Sequence, residues 1–93
     1  AYGIVFVEAA SYGVPSLASR IGGVPTIVRS GVNGPLFSLD DRGWGYADFI
    51  MAHSNVPTAH EALCRSAYRD YVARLSWDRF GETIRDLVLP LLM

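Results

Sequence analysis

Two histidines, His53 and His60, stand seven residues apart, and neither has a carboxylate at helical i+4 spacing. A metal site asks for converging ligands, so solvent-facing or capping roles suit both better. Asp40-Asp41 invites a Mg²⁺ reading, yet a loop end followed by a helix N-cap accounts for it more simply. Ser11, Ser16 and Ser19 have no histidine nearby in the sequence, which leaves a hydroxyl nucleophile without its base. Tyr12, Tyr68 and Tyr71 read as packing residues with wet hydroxyls. The glycines say more. Gly3-Ile4-Val5 opens a segment with helical spacing, and free backbone N–H groups at a helix start bind anions, most readily where glycine lets a phosphate approach. Glu8 lies about one and a half turns further in, too far along to cap that start. Its carboxylate is placed to accept hydrogen bonds from a diol such as a ribose. Gly22-Gly23 leaves the end of a predicted strand, and open α/β sheets bind ligands outside the carboxyl ends of their strands.

These residues need elements to hold them. Ile4, Phe6, Val7 and Ala10 fall at helical spacing, with Gly13 as a C-cap and Pro15 beyond it. β-branched Ile4, Val5 and Val7 suit a strand as well, so periodicity alone leaves this segment open. Val14–Ser19 reads as a short buried strand with Pro15 at its edge, and Pro35–Leu39 as a second. Between them Val24–Ser30 reads as a short helix with Pro25 near its first position, closed by the turn Gly31-Val-Asn-Gly34, where Asn33-Gly34 suits positive φ. Asp41 can cap a helix carrying Trp44, Ala47, Phe49, Ile50 and Met51, its first turn weakened by Gly43 and Gly45. Asn55-Val-Pro57 breaks it. Thr58-Ala-His-Glu61 then has capping-box form, with Leu63, Ala67, Tyr71 and Leu75 down one face. Ser76 caps a final helix whose expected buried stripe is Trp77, Phe80, Ile84, Leu87, Val88 and Leu91. Strand and helix alternate in the first half, which implies an α/β fold with a parallel sheet flanked by helices, and the second half is helix-rich. Two short strands fall below the three that independent stability usually asks for. The expectation is the C-terminal portion of a larger α/β unit.

Composition narrows the classes. At 93 residues there is room for one domain at most, and 51% hydrophobic with 18% charged residues is enough for a packed core. Eight basic against nine acidic residues leave a net charge of −1, which argues against a nucleic-acid partner. A single cysteine, Cys64, leaves no internal disulfide framework and fits a reducing compartment. No apolar run approaches the roughly 18 residues of a membrane-spanning helix, and the opening residues carry no basic stretch of a signal peptide. A cytoplasmic location, or one peripheral to a membrane in the parent protein, is expected.

Taken in order, Tyr2-Gly3-Ile4-Val5, Glu8-Ala9, Gly13-Val14-Pro15, Ala18-Ser19, Gly22-Gly23, Pro25, Ile27-Val28, Gly31, Asn33-Gly34 and Ser76-Trp77-Asp78 form a series. It resembles the C-terminal nucleotide-sugar-binding domain of retaining family-4 glycosyltransferases of the GT-B, Rossmann-like fold. The resemblance is dense over residues 1–39 and rests on Ser76-Trp77-Asp78 beyond them. It implies that residues 1–93 are part of the donor-binding domain, with the acceptor-binding N-terminal domain absent. In that family a glutamate, seven residues and a second glutamate form a signature. Glu8 matches the second, which by resemblance binds the ribose hydroxyls. The first, which orients the donor sugar, would fall immediately before Ala1. Gly3, Ile4 and Val5 match the segment whose amides face the donor phosphates and sugar. The cation that steadies the diphosphate would lie upstream, so the resemblance implies no complete catalytic set here. Thr26 departs from the pattern, which commonly has glutamate after the proline.

The implied partner is a nucleotide-diphosphate sugar, with an acceptor of unknown class and no metal or other cofactor. Charge growing on the leaving diphosphate would be met by the N–H groups of the first helix. Two other readings fit the same residues: a non-catalytic relative serving as scaffold or binding module, and a helical interaction module over 40–93. With two strands and an apolar final helix, the isolated chain is expected to self-associate.

Overall fold

The computed structural model describes residues 4–92. Its elements are α1 (Ile4–Ser11), β1 (Ala18–Ser19), α2 (Val24–Ile27), β2 (Leu36–Phe37), α3 (Trp44–Asn55), α4 (Pro57–Asp70), a π-helical turn (Tyr71–Leu75) and α5 (Trp77–Leu92). The expected alternation is present. β1 and β2 pair in parallel, Ala18 opposite Leu36 and Ser19 opposite Phe37. Both strands are shorter than expected, although the ladder reaches past them: Ser16 N–H donates to Asn33, Ala18 to Pro35 and Arg20 to Phe37. Pro15 lies outside this ladder, where its missing N–H costs nothing.

The opening segment is a helix. Gly13 takes φ +70°, its N–H bonds the Ala10 carbonyl, and Val14 N–H bonds that of Ala9. These two bonds make a Schellman ending, which decides between helix and strand at this point in the chain. Phe6 and Val7 of α1 then pack on the buried cluster of Ala18, Ile27 and Val28, joined by Val24, Leu36 and Leu75. Gly34 permits this close approach: a Cβ there would meet the Ser16 carbonyl oxygen and Val28 Cγ1.

Several local expectations are corrected. The expected helix Val24–Ser30 stops after Ile27, because Val28 turns extended (φ −93°, ψ 122°) and enters the core. Positive φ in the next turn falls at Gly31 (+81°), not at Asn33-Gly34. Gly43 and Gly45 are required where weakening was expected. Gly43 holds φ +105°, and a Cβ on Gly45 would strike Asp41 and the Phe37 ring. Thr58 does not cap α4; Val56 precedes the helix and Pro57 takes the first position, which needs no N–H donor. On α4, Leu63 and Ala67 are buried as expected, while no residue of α3 or α5 is. The anticipated stripe on α5 is exposed, from Trp77 at 75% to Leu91 at 82%. Its spacing is amphipathic, but among the described residues nothing covers it. Met93, which extends the apolar tail in the sequence, lies outside the described residues. No described helix is long and apolar enough to cross a membrane.

Candidate functional site

α1 divides into two sectors. Phe6, Val7 and Ala10 face the core, and on the other side Ile4 and Glu8 sit one turn apart with Val5 beside them. Ile4 is 56% and Val5 61% exposed, and Glu8 is exposed too. Among the described residues the Glu8 carboxylate has no hydrogen-bond or ion-pair partner. Two large β-branched side chains and a carboxylate thus face outward together near the start of the helix. Gly3, the remaining expected donor-binding residue, lies outside the described residues. The structure brings Ile4, Val5 and Glu8 to one face and encloses none of them.

The carboxyl end of the small sheet is dressed by two segments. Gly22 (φ +54°) and Gly23 leave β1 exposed and lead into α2. From α3, Tyr46 reaches back so that its Oη lies 2.6 Å from Ser19 Oγ, and its ring packs 4.2 Å from that of Phe37. Ser19 is therefore paired with a tyrosine hydroxyl, not with a base. The N-cap of α3 is Gly43 and not Asp41 as expected; Asp41, two residues earlier, still accepts from the N–H groups of Gly43 at 2.8 Å and Gly45 at 3.1 Å. His53 stacks on Phe49 and donates from Nδ1 to the Phe49 carbonyl at 3.1 Å. His60 Nε2 lies 3.4 Å from Cys64 Sγ one turn along α4, and no third ligand joins them among the described residues. Tyr68 and Tyr71 stack, whereas Tyr12, expected to pack, is 85% exposed.

Two residues have roles that the sequence reading did not assign. Asn33, 3% exposed, accepts from the Arg29 N–H at 2.7 Å and donates to the Ile27 carbonyl at 2.8 Å. Arg74, in the π-helical turn, donates to the Thr26 carbonyl at 2.6 Å and the Ile27 carbonyl at 2.7 Å. Asp70 and Arg74 at i,i+4 spacing mark an ion pair in the sequence, but nothing local announces partners in α2.

No family model and no solved structure matches the chain significantly. Curated proteins do. The chain is 38% identical over 84 residues to the D-inositol 3-phosphate glycosyltransferase of Mycobacterium marinum, covering 89% of this chain and 18% of that protein. Proteins of the same name from Actinosynnema mirum (35% identity, 89% and 19% coverage) and Mycobacterium leprae (39%, 89% and 19%) are similar to it as well. The chain is a homologue of these glycosyltransferases over 89% of its own length and corresponds to 18–19% of theirs.

Proposed function

We propose that the chain is the donor-binding segment of a family-4, GT-B glycosyltransferase, lying in the C-terminal, Rossmann-like domain of its parent. The parent transfers a sugar from a nucleotide-diphosphate sugar to an acceptor with retention of configuration. The observation that carries this reading is the outward face of α1, where Ile4, Val5 and Glu8 stand together in a homologue of glycosyltransferases. α1 precedes β1 and packs on the cluster beneath it; in this reading it runs antiparallel to the strands, so that its start lies toward their carboxyl ends, the side on which such sheets bind ligands.

In this reading Ile4 and Val5 offer first-turn N–H groups to the donor diphosphate, and Gly3 is assigned to the same ligand. These donors are free because the first turn of a helix has no intrahelical acceptors for them. As the bond from the sugar to the diphosphate breaks, negative charge gathers on the leaving oxygen, and preorganised N–H dipoles stabilise it without reorganising. The scheme calls on no metal. Glu8, one turn further in, accepts hydrogen bonds from the ribose hydroxyls. The sugar-orienting glutamate, the diphosphate-steadying cation and the acceptor site belong to the remainder of the parent, a cytoplasmic enzyme in this proposal.

The helical half does not favour an independent interaction module. Leu75 packs on the Ala18–Ile27–Val28 cluster and Arg74 bonds α2, so residues 40–92 are tied to the first half. The test is Glu8→Gln in the full-length parent. Donor binding should weaken by about 1.5–3 kcal/mol, the range for a hydrogen bond to a charged group. Unchanged donor affinity and turnover would remove the ribose-binding assignment.

A further inference from the structure

α2 is four residues long, and its last carbonyls are capped from the far end of the chain. Arg74 Nη1 donates to Thr26 and Nη2 to Ile27, across 48 and 47 residues of sequence. The same guanidinium grips Asp70 through Nε at 3.0 Å and Nη2 at 2.8 Å. Four of its donor positions are thus engaged, in a pair whose side chains are only 22% and 12% exposed. Such a planar, bidentate arrangement is specific to arginine. Arg74 and Leu75 both belong to the π-helical turn Tyr71–Leu75, from which Leu75 packs on the core cluster and Arg74 reaches α2. α1 packs against the same turn.

What Arg74 holds is the segment Gly22–Thr26. Its other backbone bonds are local: Val24 N–H to Ile21, Thr26 N–H to Gly23 and Val28 N–H to Val24. Gly22, Gly23 and Thr26 are exposed at the carboxyl end of β1. We infer that Arg74 is a positioning residue for the donor site: by clamping the Thr26 and Ile27 carbonyls, it fixes where the Gly22–Thr26 segment stands beside the bound nucleotide. This inference rests on the donor-binding reading and adds to it a residue that touches no ligand.

The test compares Arg74→Met, Arg74→Lys and Leu63→Ala in the full-length parent. UDP, GDP and ADP are titrated calorimetrically against the wild type, and the tightest binder serves as probe. Donor and acceptor KM are measured beside kcat, and each variant is melted. Arg74→Met should raise the probe's Kd and the donor KM about tenfold while leaving the acceptor KM unchanged. Arg74→Lys should fall between, since one ammonium cannot span two carbonyls and a carboxylate. Leu63→Ala, a core truncation on α4, should lower the melting temperature without moving the donor KM. If Arg74→Met does not fold, the Lys variant decides. Wild-type donor KM and probe affinity in a folded Arg74 variant would overturn the inference while leaving the Glu8 test intact. An equal rise in donor KM with Leu63→Ala would overturn it too, by showing that any loss of stability suffices. No binding of any probe by the wild type would overturn the donor reading and this inference together.

Discussion

Asn33 donates its side-chain amide to the Ile27 carbonyl at 2.8 Å while its own carbonyl accepts the Arg29 N–H. One buried side chain therefore closes the loop from α2 to β2. Replacing it with alanine removes the acceptor of the Arg29 N–H and leaves the Ile27 carbonyl with Arg74 as its remaining donor. Asn33→Ala should destabilise the protein by about 1–3 kcal/mol. Asn33→Asp should cost more, because a carboxylate oxygen would then face the Ile27 carbonyl. Thermal melting of the two variants checks both the sign and the order.

Gly34 and Gly23 make a contrasting pair. A Cβ on Gly34 would collide with the Ser16 backbone and the Val28 side chain, whereas one on Gly23 meets nothing within 4 Å. Gly34→Ala should lose about 1–3 kcal/mol through forced movement of the sheet. Gly23→Ala, at φ −83°, should stay within about 0.5 kcal/mol of the parent. Equal losses in denaturant unfolding would contradict the packing described for β1 and β2.

The exposed stripe on α5 predicts behaviour in solution. Trp77, Phe80, Ile84, Leu87, Val88 and Leu91 form a continuous apolar face on a helix with no buried residue. Surfaces of this kind drive association. Sedimentation equilibrium of the isolated 93-residue chain at low micromolar concentration should show self-association, reduced in Leu87→Glu. A monomer with a cooperative melt would show that the chain completes its own core.

The isolated chain should also lack transferase activity. The proposed reaction draws on an acceptor site and a sugar-orienting glutamate that these residues do not supply. Sugar transfer by the purified chain, above a mock preparation, would contradict the division of labour proposed here.

Much of the fold was legible because its signals are local. Gly13 ends α1, Asn55-Val56-Pro57 separates α3 from α4, and Ser76 Oγ accepts the Arg79 N–H at the start of α5, each as residue type and spacing imply. Thr58 misled because Pro57 had already taken the first helical position. The π-helical turn left no trace in periodicity, since tertiary contacts of Arg74 and Leu75 hold it. The expected strands Val14–Ser19 and Pro35–Leu39 shorten to two residues each, with single backbone bonds from Ser16 and Arg20 beyond them. For the candidate site, the outward position of Glu8 agrees with helical spacing against Phe6, Val7 and Ala10, whereas Ile4, expected on the same apolar stripe as those three, is 56% exposed beside Glu8. The role of Arg74 did not, because its partners lie 47 and 48 residues away. Amphipathic spacing on α5 was plain, but spacing does not reveal what a face packs against.

The central claim is that Glu8 accepts hydrogen bonds from the donor's ribose, and a two-by-two binding measurement addresses it directly. The full-length parent and its Glu8→Gln variant are titrated with a nucleoside diphosphate and with its 2′,3′-dideoxy analogue. The substitution should weaken binding of the ribose form by about 1.5–3 kcal/mol and leave the dideoxy form nearly unaffected. Equal losses for both ligands, or none for either, would contradict the assignment.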